Sequence, residues 1–351
     1  MTEYTTGLDL GDRKSRYCVL DTRGDEIEVG EVKTTKLALE QRFPPARKMR
    51  IALEVGTHSG WVSRLLTRLG HEVIVANARN LAYITRANDK SDRNDAAKLA
   101  MLARTDPRQL SPIRHRSESA QVDLILLRTR NELVGVRTSL VNHVRGVVKS
   151  MGERLPACST PVFATKVRGA IPDALRTALE PALEMIKQLS AQINACLKRI
   201  RKLSKEHPVM TQLQEISGVG AVTAAAFVLT LEDPTRFRKS RDVGPYLGLV
   251  PGQRQSGDSD PQLRITKAGD KYLRMLLVQC AQYILGPFAE DSDLRRWGLK
   301  KAQRAGKRSK KCAVVAVARK VAVLMHMLWA KNRSYRPLRE PTTTPVAAAR
   351  A

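Results

Sequence analysis

Acidic residues are scarce. The 351-residue chain carries 34 Asp or Glu against 61 Lys or Arg, a formal net charge of +27, and an imbalance of that size implies a polyanionic partner. Cysteine is scarce too. Cys18, Cys158, Cys196, Cys280 and Cys312 are scattered without a CxxC pair, and the six histidines show no HxxxH or HExxH spacing, which argues against a disulfide framework and against zinc. No uninterrupted apolar run approaches the roughly 18 to 20 residues of a membrane span, and the mean hydropathy is −0.31, so no membrane is expected as a partner. The opening MTEYTTGLDLGD has neither a basic n-region nor a long apolar h-region, which predicts an intracellular protein without a secretory signal. Aromatic residues number only 15 of 351. Stacking platforms need exposed rings, so the chain is expected to grip a polymer by its backbone.

What the sequence does contain is unevenly spread. Residues 1 to 60 hold ten acids and ten bases, so the excess charge lies entirely beyond them. From residue 235 onward there are 25 bases and 8 acids, and Arg295 to Lys320 holds eleven bases and no acid. A solvating surface normally mixes both signs. A neutral, acid-bearing head before a basic tail instead predicts carboxylate chemistry at one end and phosphate grip at the other. The length allows two or three domains.

The first 110 residues read as α/β. Tyr4 to Leu10, Arg16 to Asp21 and Glu26 to Lys33 are short strand-like runs separated by turn residues, so they form an antiparallel meander. A helix follows over Leu37 to Arg42, a strand over Arg50 to Val55, a helix over Ser59 to Leu69, a strand over Glu72 to Ala76, and a helix over Asp92 to Arg104. This is the element order of an RNase H-like domain. Beyond it, Glu118 to Met151 repeats apolar pairs every seven residues, Leu126/Leu127, Leu133/Val134, Leu140/Val141 and Val147/Val148, the mark of a coiled-coil seam within or between chains. A second amphipathic helix starts at Pro172-Asp173, and the two are expected to pack as an antiparallel arm. The last region is mainly helical. In it, Ile216-Ser217-Gly218-Val219-Gly220 before Ala221 to Leu231 looks like a helix-hairpin-helix element whose Gly218 and Gly220 would let a phosphate approach. The closing PTTTPVAAARA is expected to be disordered.

Four acids stand out by position. Asp9 lies in an apolar strand, Glu54 near the end of another, and Asp92 and Asp95 share a helix face three residues apart. A carboxylate in an apolar strand is costly unless paired or bound to a cation. Oxygen ligands of this kind suit Mg²⁺ or Mn²⁺, and two such ions clamp the attacking and leaving oxygens of a phosphodiester. Asp92 could equally cap its helix, and Asp12 and Asp89 are rival ligands. Ser256, in PGQRQSGD, precedes a glycine in an open loop where its hydroxyl can meet a phosphate, with Arg254, Arg264 and Lys267 able to neutralise developing charge. Taken alone the segment is a turn, and Ser259 and Ser240 are alternatives. Lys271, Arg274, Lys307, Arg308, Lys310 and Lys311 are further candidates for nucleic-acid contact.

Together these segments resemble a known family. GLDLGDRKSRYCVLD, ALEVGTHSGW and KSDRNDAAKLA are similar to the three motifs of the RuvC-like DEDD domain of insertion-sequence transposases of the IS-one-ten type, a family that includes Piv-type DNA invertases. ISGVGAVTA, YLGLVPGQRQSG and RITKAGDKYLRMLL resemble its C-terminal transposase domain. The resemblance implies a RuvC-like catalytic domain at 1–115, a helical arm at 116–205, a transposase domain carrying the serine at 206–333 and a disordered tail at 334–351. It also implies that Asp9, Glu54, Asp92 and Asp95 hold magnesium and that Ser256 forms a covalent phosphoserine link to DNA. In such proteins the serine of one subunit acts beside the acids of another, in a dimer to tetramer, and a structured non-coding RNA pairs with target and donor DNA. One departure is Asp12, where relatives often carry a base three positions after the first aspartate.

The function expected is thus a DNA transposase or site-specific recombinase of the bacterial cytoplasm, associated with the nucleoid. A RuvC-like nuclease that hydrolyses DNA with the acids alone, or a non-catalytic nucleic-acid-binding protein, are the alternatives. Neutralising Lys307, Arg308, Lys310 and Lys311 together is expected to weaken DNA binding and to flatten its salt dependence by up to about one unit of slope per lost phosphate contact. A salt titration that leaves the slope unchanged would reduce the run to a solvated face.

Overall fold

The computed structural model describes residues 3–77, 92–257, 259, 261, 263–303 and 309–338, with 92–94 as backbone only. Their contacts fall into two compact units, Met1–Arg116 and Ser117–Ala351. The chain is a mixed α/β protein whose sheet lies in the first unit.

In that unit β1 (Thr5–Asp9), β2 (Lys14–Leu20) and β3 (Glu26–Lys33) form an antiparallel meander. The turn between β2 and β3 is set by Asp21, whose carboxylate accepts the N–H groups of Arg23, Gly24 and Asp25 at 2.8, 2.8 and 2.9 Å, satisfying donors that the strands cannot use. Helix α1 (Lys36–Arg42) leads to β4 (Arg50–Glu54), which pairs parallel to β1, and α2 (Ser59–Arg68) leads to β5 (Glu72–Ala76), parallel to β4. The resulting order β3-β2-β1-β4-β5 is consistent with an RNase H-like fold.

Alternation along the strands sends their side chains to two different cores. On one face Leu8, Val19, Ile51 and Leu53 pack against Leu39 of α1, Phe43 at its carboxyl cap and Val62, Leu65 and Leu66 of α2. The other face is lined by smaller residues, and α3 (Asp92–Thr105) lies on it through Ala96, Leu99, Ala100 and Ala103. The approach is close enough to require glycine in β1. A Cβ on Gly7 would overlap the backbone oxygen of Ala96 and lie 2.6 Å from the backbone nitrogen of Ala100.

The second unit begins with two long helices, α4 (Glu118–Ser150) and α5 (Asp173–Glu206). Val141, Val144 and Val148 of α4 share a core with Leu179, Leu183 and Ile186 of α5, whereas Leu124 and Leu127 share another with Ile200. The start of one helix therefore meets the end of the other: they pair antiparallel within the chain. The seven-residue repeat is only partly used as a seam. Leu127, Val141 and Val148 are buried, yet none of residues 128 to 136 is. The next buried position is Arg137, 8% exposed, whose Nη1 donates to Ser190 Oγ at 3.2 Å.

The rest of this unit is mainly helical, with α6 (Pro208–Leu213), α7 (Ala221–Leu231), α8 (Lys271–Leu285), α9 (Asp293–Ala302) and α10 (Ser309–Lys331). Although its apolar residues are interrupted by charged ones, α10 is among the described residues the one helix long and apolar enough to cross a membrane by length and composition. Its apolarity has a local use, because Val317, Ala318, Val321, Ala322, Met325 and Leu328 enter the core shared with α7 and α8. Of the expected disordered tail, residues 334–338 are described and fastened: Tyr335 N–H donates to Glu215 Oε2, and Asp293 N–H donates to the Pro337 carbonyl, both at 2.9 Å.

Two glycines give opposite expectations. Gly7→Ala should cost about 3 kcal/mol by forcing α3 away from the sheet. Gly135→Ala, in the middle of α4 where a Cβ meets nothing within 4 Å, should stabilise by about 1 kcal/mol. Denaturant unfolding of the two variants checks the difference, and a harmless Gly7→Ala would show that α3 does not bear on the sheet.

Candidate functional site

The acids gather at the carboxyl ends of the two central parallel strands. The register of β1 with β4 ends at Leu8 opposite Leu53, so Asp9 and Glu54 follow one step further on. By alternation both lie on the face that α3 covers, with Gly7 and Ala52. Helix α3 brings Asp95 to the same region one residue before Ala96. The Glu54 carboxyl is pushed above the usual carboxylate range, first by burial and then by the negative charge of Asp95. Lys98 Nζ stands 3.9 Å from Asp95 Oδ1 and offsets part of that charge. Asp92 opens the same helix, and its side chain lies outside the described residues, as does Asp89.

Among the described residues, no group of three or more His, Cys, Asp or Glu side chains is placed to hold a metal ion. The donor chemistry of Glu54 and Asp95 nevertheless fits a hard divalent cation: both offer carboxylate oxygens, and their like charges repel without one. Asp12 faces elsewhere. Its side chain is 92% exposed, and its Oδ1 lies 3.4 Å from His58 Nε2. Trp61 Nε1 donates to His58 Nδ1 at 3.1 Å, which leaves Nε2 to carry the ring proton toward Asp12. The loop after Glu54 is tied by Ser59, whose Oγ donates to the Gly56 carbonyl at 2.7 Å and accepts from the Gly56 N–H at 3.0 Å. The residue-by-residue reading missed His58 and Trp61, although both lie within ALEVGTHSGW.

Ser256 lies in the second unit on an extended hairpin. Thr266 N–H donates to the Val250 carbonyl and Gly252 N–H to the Arg264 carbonyl, each at 2.9 Å. At the tip, Ser256 and Ser259 exchange both backbone hydrogen bonds at 3.1 Å, around Gly257 with φ +53°. Ser256, Arg254, Arg264 and Lys267 are all exposed. Ser240, the other alternative nucleophile, instead bonds His326 Nδ1 at 3.0 Å.

The remaining candidates separate by environment. Lys271, Lys310 and Lys311 are exposed, and Lys307 and Arg308 lie outside the described residues. Arg274 is a brace: its Nη1 donates to the carbonyls of Leu247 and Ala268 at 3.0 and 2.7 Å, gathering the base of the serine hairpin onto α8. Gly220 is open, with nothing within 4 Å of a Cβ. Gly218 adopts φ +88°, and its turn packs against α8, where a Cβ would come within 3.0 Å of Tyr283 Cδ1 and 3.2 Å of the Cys280 carbonyl.

The chain is similar to known proteins along most of its length. Residues 6–152 match a transposase family model of the IS110 DEDD type, and residues 210–286 match the model described as the transposase IS116/IS110/IS902 family. A Pseudomonas aeruginosa protein named "Probable family 20 transposase" is 28% identical over 344 residues, covering 94% of this chain and 98% of its own. The transposase for insertion sequence element IS1111A of Coxiella burnetii is 28% identical, covering 94% of this chain and 90% of its own.

The folded protein holds the Glu54 carboxyl above its unfolded value, so ionising it opposes folding. That cost is absent in acid and appears as pH rises through the folded value. Glu54→Gln is therefore expected to raise the thermal midpoint of chelator-treated protein at about pH 8 by a few degrees, with the gain vanishing near about pH 4. Equal midpoints at both pH values would remove the repulsion between Glu54 and Asp95 from the account.

Proposed function

The chain carries both transposase domains of the IS116/IS110/IS902 family, and on that premise we propose that this DNA-acting enzyme cuts and rejoins DNA through Ser256 as nucleophile, assisted by Asp9, Glu54, Asp92 and Asp95. The observation that carries the reading is the crowding of Glu54 and Asp95 on the α3 face of the sheet, a local excess of negative charge that a divalent cation relieves. The four acids would hold Mg²⁺ or Mn²⁺. Bound there, the ion would stabilise charge on the phosphate oxygens.

The chain's own residues supply the rest. The Ser256 Oγ attacks the scissile phosphorus, forming a phosphoserine bond. The displaced sugar oxygen leaves with the proton that the serine gives up, and the reverse attack rejoins the strand. Because the bond energy stays in the phosphoserine, no further energy source is required. Arg254 and Arg264 are exposed on the hairpin that carries Ser256, and their fork-shaped donors would meet the charge added at the pentavalent phosphorus.

The first unit acts as an RNase H-like, RuvC-like metal domain and the second as arm and serine-bearing domain. The active form is a homo-oligomer in which the serine of one subunit serves the acids of another. A structured non-coding RNA pairs with the element ends and target, so that pairing reads sequence while the protein holds backbone. Such a protein works in the cytoplasm, on the nucleoid.

A suicide DNA substrate, incubated with the protein, Mg²⁺ and the element's RNA, tests this. A covalent protein–DNA adduct is expected, absent in Ser256→Ala. Asp9→Ala and Asp92→Ala should lower recombination by about a thousandfold or more, the equivalent of several kcal/mol, while salt-sensitive DNA binding persists. An adduct that survives Ser256→Ala would remove the serine. Hydrolysed ends without an adduct would favour the nuclease.

A further inference from the structure

The scarcity of aromatic residues predicts a protein that grips backbone, but their placement adds something that the count hides. Among the described residues only two aromatic side chains are exposed over more than a third of their surface, Tyr283 at 48% and Phe288 at 86%. They lie five positions apart, at the carboxyl end of α8 and in the loop that follows.

Neither ring is loosely held at its backbone. Gly286 N–H closes the helix on the Tyr283 carbonyl at 2.9 Å, and Arg295 Nη1 donates to the carbonyls of Ile284 and Gly286, both at 2.6 Å. Pro287, with its φ restricted by the ring, then leads directly into Phe288. Tyr283 is flanked by the turn at Gly218, so its ring has a wall along one edge. A large apolar ring left in water on a braced loop is a costly arrangement that binding would repay.

The neighbouring residues say what would bind. Lys271, Met275, Gln279, Gln282 and Tyr283 are the exposed positions of α8, and steps of three and four put them along one stripe. The stripe has one cation at its far end and two amides beside the tyrosine. The acids near Phe288 are Glu290, Asp291 and Asp293. Asp291 is bonded by Arg296 Nε at 2.9 and 3.1 Å, Asp293 stands in the first turn of α9, and Glu290 is exposed. With so little positive charge the stripe is poorly made to grip phosphates, and what it offers a nucleic acid is rings and amides, for which the base faces must be unpaired and unstacked. Rings interrupted by glutamines are also unlike the continuous apolar patch of a protein interface. Rings stack on any base, and amides bond to base edges.

We propose that the exposed stripe of α8, ending in Phe288, binds unpaired nucleotides, with bases stacked on Tyr283 and Phe288 and their edges bonded by Gln279 and Gln282. The site rests on the reading of this chain as a nucleic-acid-handling transposase and adds to it a place where a strand is held open. Unpaired DNA and unpaired RNA share the chemistry.

The test uses the full chain and fluorescence anisotropy with three probes: oligo-dT, oligo-U and a duplex of equal length, each across a salt series. Phe288→Ala is expected to weaken single-strand binding by about tenfold or more, with the salt slope and the duplex affinity unchanged. Phe288→Trp should retain binding, and Tyr283→Phe should behave as wild type. A loss confined to one of the two single strands identifies that strand as the ligand. Equal affinity of Phe288→Ala and wild type for both single strands overturns the proposal, as does a loss shared by the duplex. A change in sedimentation of Phe288→Ala without any loss of binding would give the face to a second copy of the chain, and likewise overturns it. If wild-type protein binds none of the probes, the transposase reading itself fails. If it binds and the variants match it, this site alone fails.

Discussion

Everything proposed for the first unit depends on how closely one helix can approach one strand. The backbone of α3 lies against Gly7 so tightly that a single methyl group there would overlap the oxygen of Ala96. The face that receives the helix is correspondingly small, with Gly7, Ala52 and Ala76 meeting Ala96, Ala100 and Ala103. Small residues on both surfaces bring backbones together, as they do where helices cross closely. Here the consequence is electrostatic. The same approach that buries alanines carries Asp95 toward Glu54, and the partial burial of Glu54 raises the cost of two like charges. Packing along the alanine face offsets that cost, and a cation would relieve it.

The second unit answers the opposite need, that of keeping the serine proposed as nucleophile exposed on a fixed support. Ser256 stands at the tip of a hairpin with no core of its own, and a bare hairpin is marginal in water. Its base is therefore where support is found. Arg274 bonds the carbonyls of Leu247 and Ala268 on the two sides of the hairpin, and the α8 segment that carries Arg274 is anchored in the largest core of the chain through Leu273, Leu276 and Leu277. A residue that looked like a phosphate contact from its charge thus serves the serine indirectly, by holding its platform.

How much of this was legible in the sequence depends on how far apart the cooperating residues lie. The five strands and their flanking helices could be read because alternation, turn residues and helical spacing are local signals; β3 and β5 have the expected limits, and the others shift by one or two residues. Asp9, Glu54 and Asp95 could be singled out because a carboxylate in an apolar strand, or two on one helix face, is a local anomaly. The need for Gly7 could not be read in full, since a glycine inside a strand hints at a close approach but its partners, Ala96 and Ala100, are some ninety residues away. The same holds for Gly218, which suggested an opening for phosphate and whose turn is closed on one side by Tyr283 and Cys280. The repeat in α4 was legible as a period but not as a seam, because a period does not show where Arg137 and Ser190 replace apolar partners.

Composition misleads most where a function needs only one or two residues. Fifteen aromatics in 351 argue against a broad stacking surface, yet two exposed rings are enough for the site proposed on α8. Likewise a net charge of +27 accounts for attraction to a polyanion without saying where chemistry occurs. In the mechanism proposed, the acids work on a phosphate that carries their own sign, so attraction has to come from elsewhere in the chain; Arg254, Arg264 and Lys267, exposed on the hairpin that carries Ser256, would supply it. Net charge draws a polyanion in; in the mechanism and the α8 site proposed, the placement of a few carboxylates, one hydroxyl and two rings decides what is done with it.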